Sequence, residues 1–192
     1  MKTASPSTIR LRTSDRAALE AHFISLDGED RRLRFGASIR DAALCDYVAR
    51  LDFERDGLFA VQDDDFRLIA VVHVAFSSDS AELGLSVLPE LRGEGLGSAL
   101  FSRAVMHLRN RGATEVFVHC LSENAAMMHL ARKHGMRVVP AGSETDARLE
   151  IEPPTAHSHY LEWMHDNHAR ALQAMRHNLR LSRAMFGVFS PG

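Results

Sequence analysis

The sequence predicts a mixed α/β fold, a sheet with helices on both faces, followed by a helical extension. Three observations carry this. Short apolar alternations come in pairs separated by turn residues, as in hairpins. Beyond residue 90, strand-like and helix-like segments alternate. A 3–4 apolar stripe then occupies the chain beyond the pair Pro153 and Pro154. At 192 residues, 45% hydrophobic and 25% charged, the chain has the composition of one sizeable globular domain with an appendage.

Taken in order, Ile9 and Leu11 alternate with Arg10 and Arg12 as in a half-buried strand. Ser14 and Asp15 offer caps to a helix over RAALEAHFISL. DGEDRR reads as a polar connection, and Ile39, Ala43, Leu44, Tyr47, Val48 and Leu51 form one face of a second helix. Leu58–Val61 and Leu68–Phe76 are two arms of a hairpin turning at the aspartates 63–65. After a turn at Ser77–Ser80, Leu83, Leu85 and Val87 alternate along a strand that ends near Pro89. A helix follows to about Asn110, closed by Gly112. Glu115–Leu121 is the next strand, with Val116, Val118 and Cys120 on one face. A helix over Asn124–His134 ends at Gly135, and Met136–Val139 and Arg148–Ile151 close the sheet. In the extension, Leu161, Met164, His168, Leu172, Met175, Leu179, Ser182 and Phe186 form a stripe. Such a stripe requires burial, against its own domain or a second subunit; the sequence does not choose.

Composition excludes several classes. A formal charge of −2 gives no footprint for nucleic acid. Cys45 and Cys120 are too few and too far apart for a disulfide framework or a cysteine metal site. The N-terminal MKTASPSTIRLRTSD lacks the apolar core of a signal peptide, and no run approaches the ~20 apolar residues of a membrane span. A cytoplasmic protein is expected. Five of the eleven histidines, His157, His159, His165, His168 and His177, lie in the extension. Imidazole suits zinc or nickel, but no carboxylate or cysteine joins them at a convincing spacing, so no metal site is expected.

The most informative stretch is LRGEGLGSAL, residues 91–100, with Gly93, Gly95 and Gly97 directly ahead of a helix. A Walker loop needs Gly-Lys-Ser/Thr at its end, and here Ser98 follows Gly97 without a lysine. A dinucleotide fingerprint is approximated by Gly93, Gly95 and Ser98, with Glu115 about 20 residues beyond. That glutamate, however, begins its strand instead of following it. A third reading remains. Glycines at a helix mouth let unpaired N–H groups approach an anion, where the first turn carries partial positive charge.

In this form, Arg92-x-x-Gly95-x-Gly97 linking a strand to a helix, LSVLPELRGEGLGSAL resembles the acetyl-coenzyme A motif of the GNAT N-acetyltransferase superfamily. EVFVHCL, followed by Asn124 and by Gly-Met at 135–136, is similar to that superfamily's next segment. The resemblance covers about residues 7–152. RRLRFG and the early helices also look like the acetyltransferase domain of protein-lysine acetyltransferases. The resemblance implies a mostly antiparallel central sheet in an acetyl-coenzyme A-binding domain, 1–152, with 153–192 as a helical tail. It implies acetyl transfer to a primary amine, on a protein lysine or a small molecule, with acetyl-coenzyme A as cosubstrate and no metal.

It also assigns residues. Main-chain amides of Gly93, Glu94, Gly95, Leu96, Gly97 and Ser98 would cradle the diphosphate, with Arg92 adding charge or bracing the loop. A bulge in the strand Leu83–Leu88 would splay it from its neighbour, giving the Val87 N–H to the thioester oxygen and that of Leu85 to the pantetheine arm. Asn124 would cap its helix and contact the cofactor arm. Glu82, ten residues before Arg92, would be the general base, directly or through a water. The tyrosine that many members carry seven residues after the asparagine is replaced by Ala131, leaving His129, His134 or Cys120 as substitutes for the acid, or none. That gap keeps open a non-catalytic acyl-coenzyme A sensor; longer or branched acyl donors are a third reading. A homodimer through the tail is a further expectation.

Overall fold

A computed structural model describes residues 6–187, and the side chains of residue 177 and of residues 180–187 lie outside that description. Seven strands form one sheet: β1 (Ile9–Arg10), β2 (Gly57–Gln62), β3 (Leu68–Ser77), β4 (Ser80–Val87), β5 (Glu115–Leu121), β6 (Arg137–Ala141) and β7 (Glu144–Glu150). Their order is β1-β2-β3-β4-β5-β7-β6. Every pair is antiparallel except β4 with β5. β3 is the spine. It is buried continuously from Leu68 to Val74, consistent with a run of β-branched residues that packs on both faces.

The helices are α1 (Arg16–Ile24), α2 (Gly28–Phe35), α3 (Asp41–Arg50), α4 (Leu96–Asn110), α5 (Ala125–Lys133) and α6 (Ala156–Gly187). Alternation along β4 sorts them. Ser86 meets His22 of α1 and Gly84 meets Arg34 of α2, whereas Leu85 and Val87 face Gly97 of α4. Thus α1–α3 cover one face, and α4 with α6 the other. Among the described residues no helix is long and apolar enough to cross a membrane.

Two expectations about the early helices need correction. DGEDRR is not a connection but the start of α2. Asp27 caps it by accepting from the Asp30 N–H at 2.8 Å, and its acidic first turn and basic last turn suit the helix dipole. The segment is too polar to show an apolar stripe, which is why periodicity missed it. Asp15 makes no cap to α1; its carboxylate accepts from the Arg12 N–H at 2.8 Å, inside a 3-10 turn.

The extension is also corrected. α6 folds back on its own domain, but on a polar face. Arg103 of α4, its side chain 2% exposed, donates to Glu162 at 2.8 Å and Asp166 at 2.6 Å. Glu162 also accepts from His107 at 2.9 Å and Asn110 at 2.7 Å, and Ala169 is buried beneath the helix. Arg103 stacks on Phe59, 4.3 Å from the ring centroid. Of the expected stripe, Met164, His168, Met175 and Leu179 are exposed, as are Tyr160 and Trp163 beside it, while Leu161 and Leu172 are half-buried; Ser182 and Phe186 lie outside the described side chains. A buried arginine requires its carboxylates, and that demand sets the rotation of the helix ahead of its apolar pattern.

Burial opposes the charge on Glu162, yet the bonds from His107, Arg103 and Asn110 outweigh it and hold its pKa at about 2. Burial lowers His22 to about 4 and also lowers His107 and His73. The unfolded chain therefore takes up protons that the folded chain refuses, first at the histidines below about pH 6.5, then at Glu162 below the ordinary glutamate value of 4.5. Stability is greatest above pH 6.5 and declines from there to pH 4, seen as a falling urea midpoint. Glu162→Ala leaves Arg103 buried without its partner and costs about 3–5 kcal/mol in the same measurement at pH 7.5.

Candidate active site

The site begins where β4 and β5 part. Their parallel pairing runs from Ser80↔Glu115 through Glu82↔Phe117 and then stops. The register of β4 against β3 is unbroken from Ser77↔Ser80 to Ala70↔Val87, so the expected bulge in β4 is absent. The strands part without any deformation of β4, while β5 stays paired with β7 on its other edge along its whole length. The Leu88 N–H donates to the Ile69 carbonyl on the β3 side. By the two-residue alternation of a strand, the N–H groups of Val87 and Leu85 point to the opened edge.

At the C-terminal end of β4 the chain turns into α4. Gly93 and Gly95 hold φ of 84° and 82°, left-handed values costly for any residue with a Cβ. The first main-chain bond of α4 is Ala99 N–H to Gly95 O, 3.0 Å, so the N–H groups of Leu96, Gly97 and Ser98 lie free of the helix ladder, as in any first turn. A cavity of about 330 Å³ lies against them, lined among others by Leu85, Val87, Arg92, Gly93, Gly95 and Leu96. Gly97, Ser98 and Asn124 also line it. Of the residues expected around a cofactor, Glu94 alone is not part of this lining.

Side chains fix this cavity from three helices. Arg92 pairs with Asp30 of α2, and its Nε donates to the Val87 carbonyl at 3.4 Å, so it ties loop, strand and helix together. Asn124 Oδ1 caps α5 by accepting from the Met127 N–H at 3.0 Å, while its amide donates to the Leu33 carbonyl of α2 at 3.3 Å. Ser86 lines the cavity and is held by His22. Neutral because burial lowers its pKa, His22 donates from Nδ1 to the Leu68 carbonyl and accepts at Nε2 from Ser86, both at 2.8 Å. Two buried polar atoms here lack a protein partner: the acceptor Asp30 Oδ2 and the donor Arg34 Nε.

A second cavity, of about 320 Å³, lies where the strands separate. Glu82, Gly84, Cys120, Glu144, Tyr47 and His73 are among its walls. Glu82 therefore stands beside the opening, at the last β4–β5 pair, with its side chain exposed. Arg34 lines both cavities. Its guanidinium lies flat on β4 because residue 84 is glycine: a Cβ there would come within 2.3 Å of it. Phe35 stacks on the same group, 4.8 Å from centroid to carbon.

The candidates for the acid separate. Ala131 is fully buried. His134 bonds Ser98 Oγ at 2.8 Å and stacks on Phe101. Burial lowers its pKa. His129 lines the first cavity and Cys120 the second; burial raises the Cys120 thiol. Arg34, Asp30, Ser86, Tyr47 and His73 were not anticipated. Arg34 lies within RRLRFG, a segment the resemblance did include, but no pattern in one sequence shows that α2 and α3 converge on β4.

A sheet opened between a parallel pair, with a glycine turn and a helix N-terminus at the opening, is the architecture of an acyl-transferring domain. Residues 25–136 match the Acetyltransferase (GNAT) family, and the chain belongs to it; it is an acyltransferase. No curated relative matches the sequence. Among solved structures, it is similar to the GNAT domain of S. lividans PAT (18% identity, TM-score 0.65, covering 75% of this chain and 89% of that one). It is also similar to the ribosomal-protein-S18-alanine N-acetyltransferase from Escherichia coli (21%, 0.58, 78% and 96%). A third is the phosphinothricin acetyltransferase from Sinorhizobium meliloti in complex with AcCoA (14%, 0.63, 79% and 94%). These likenesses establish the fold.

Gly84→Ala forces the Arg34 guanidinium off the strand, which its flexible stem permits at little cost in stability. The variant keeps a near-native melting temperature, while kcat/KM for acyl transfer falls about tenfold or more, since misplacing groups near a reaction centre by ~1 Å costs up to about 100-fold.

Proposed function

We propose that this acyltransferase moves an acetyl group from acetyl-coenzyme A to a primary amine by direct attack. The observation that carries the reading is the meeting of two cavities at the β4–β5 opening, one against a helix N-terminus and one walled by carboxylates. The first suits the cosubstrate. Free N–H groups and the dipole of α4 favour a diphosphate, and amides of Gly93 through Ser98 supply them, Glu94 contributing only its main chain. Arg92 braces the loop through Asp30.

The order along the strand revises one assignment. Val87 lies nearer the glycine turn than Leu85. A chain running from the diphosphate along β4 meets Val87 first, so the Val87 N–H holds the pantetheine arm and the Leu85 N–H lies closer to the thioester oxygen. Fixed N–H donors aimed at a developing oxyanion are worth several kcal/mol.

Glu82 on the second cavity favours a cation, as an amine is at neutral pH, while Glu144 is already paired with His119 at 3.3 Å. Glu82 would receive the first proton of the arriving ammonium, directly or through the water its exposure admits. The related folds serve acceptors as different as a ribosomal protein and phosphinothricin, so acceptor identity rests on the walls of this cavity. The exposed apolar face of α6, with Trp163 and Met175, supports a homodimer through the tail.

The test is thiol release from acetyl-coenzyme A with a panel of primary amines, after a thermal-shift screen of acyl-coenzyme A esters. A rise in melting temperature with release is expected. Tight binding with no release from any amine makes the protein a sensor, and a preference for a longer ester makes it a different acyltransferase. Glu82→Gln lowers turnover about 100-fold near pH 7, a deficit that shrinks towards pH 10 as the amine loses its proton unaided.

A further inference from the structure

The second cavity holds a chain of groups to which neither the family pattern nor the reading above gives a role. Tyr47 of α3 brings its hydroxyl to the cavity wall, 2.7 Å from His73 Nδ1. His73 Nε2 lies 3.1 Å from Asp56 Oδ2. His73 is 8% exposed and Asp56 3%, while Arg55 holds the other Asp56 oxygen at 3.0 Å. An Arg34 N–H reaches the phenol oxygen at 3.4 Å. The tyrosine ring is clamped edge-on by Phe23 and Phe35, with centroids at 5.7 and 5.3 Å. The members come from five segments: α1, α2, α3, the loop before β2, and β3.

The hydrogen bonds set the direction of the protons. A carboxylate only accepts, so Asp56 fixes the Nε2–H tautomer of His73. Nδ1 then carries the lone pair, and the Tyr47 O–H must point at it. The phenol thereby turns its oxygen lone pairs away from His73, with Arg34 donating to one of them. A tyrosine held this way receives a proton from the cavity side as it passes its own to the histidine.

We propose that Tyr47 is a catalytic residue, the acceptor of the proton that the amine nitrogen loses as the new bond forms, with His73 and Asp56 as the positioning residues that carry and stabilise it. This rests on the amine-acetylation reading. The neutral amine forms the N–C bond to the thioester carbon; the tetrahedral nitrogen then gives one proton to Tyr47 Oη, whose own proton moves to His73 Nδ1. The C–S bond breaks with its electron pair going to sulfur, which leaves as thiolate. The imidazolium beside Asp56 returns its proton through the phenol to water in the cavity. Glu82 deals with the first proton of the ammonium and Tyr47 with the second, and the sulfur leaves as thiolate without a proton from position 131.

The relay requires neutral His73 at working pH. Burial, then the Arg34 charge, lowers its pKa, against the raising effect of Asp56. The groups facing it are Arg34 from α2, Tyr47 from α3, Arg55 and Asp56 ahead of β2, Glu82 on β4, His119 and Cys120 on β5 and Glu144 on β7. Only below the ordinary histidine range does the relay fill with protons and stop.

The experiment compares Tyr47→Phe with wild type from pH 5 to 9, reading kcat/KM for the amine, with acyl-coenzyme A thermal shifts as the control for folding and binding. Taking the ratio of the two enzymes cancels the titration of the amine. We expect unchanged thermal shifts and a ratio of about 100 above pH 7, falling towards one as pH drops through the His73 titration. Asp56→Asn lowers turnover and moves that fall to lower pH, because the carboxylate is what favours protonated His73. A ratio within twofold of one, or a deficit equal at every pH, overturns the relay while leaving the acetyltransferase reading standing. Wild type that binds the ester and releases no thiol with any amine overturns both.

Discussion

β4 stays in register with β3 to its end while β5 leaves it after Glu82↔Phe117, and the site depends on that parting. A sheet interior cannot leave a row of N–H groups unsatisfied, so an opening there is tolerated only where something else fills or solvates it. The opening brings the donors of β4, the free first turn of α4 and the carboxylates of the second cavity to one place. β7 pairs with β5 from Glu115 to Leu121, so β5 keeps its place in the sheet while its other edge leaves β4.

α2 and α3 do a second job besides covering the sheet. α2 sends Asp30 to Arg92 and Arg34 across Gly84; α3 sends Tyr47 to His73. These contacts place charged and aromatic groups of the chain's first fifty residues against strands that begin beyond residue 67. The two cavities share Arg34 as a wall, which puts a fixed positive charge between them.

α6 shows how buried charge competes with apolar pattern. Its 3–4 stripe is the strongest periodic signal in the tail, yet Glu162 and Asp166 face the domain. Arg103 lies beneath them with 2% of its side chain exposed. A few apolar side chains left in water cost less than one buried guanidinium without carboxylates.

Much of the fold was legible because it is local. Alternation located β2 to β5, Asn124 marked the start of α5, and Gly93 and Gly95 marked a turn only glycine accepts easily. The parts that were not legible are those in which distant segments decide. DGEDRR carries no apolar stripe, so α2 was invisible to periodicity, and with it the seats of Asp30 and Arg34. The opening of the sheet was expected from a deformed β4, yet β4 keeps its register with β3 to its end; where the pairing of β4 with β5 stops is a matter of tertiary placement that alternation cannot encode. The sequence by itself determined the residue types at the glycine turn and the family to which they belong. Only the tertiary structure decided which polar groups meet, because hydrogen bonds and buried ion pairs act over a few ångströms and the chain brings their partners together from dozens of residues apart.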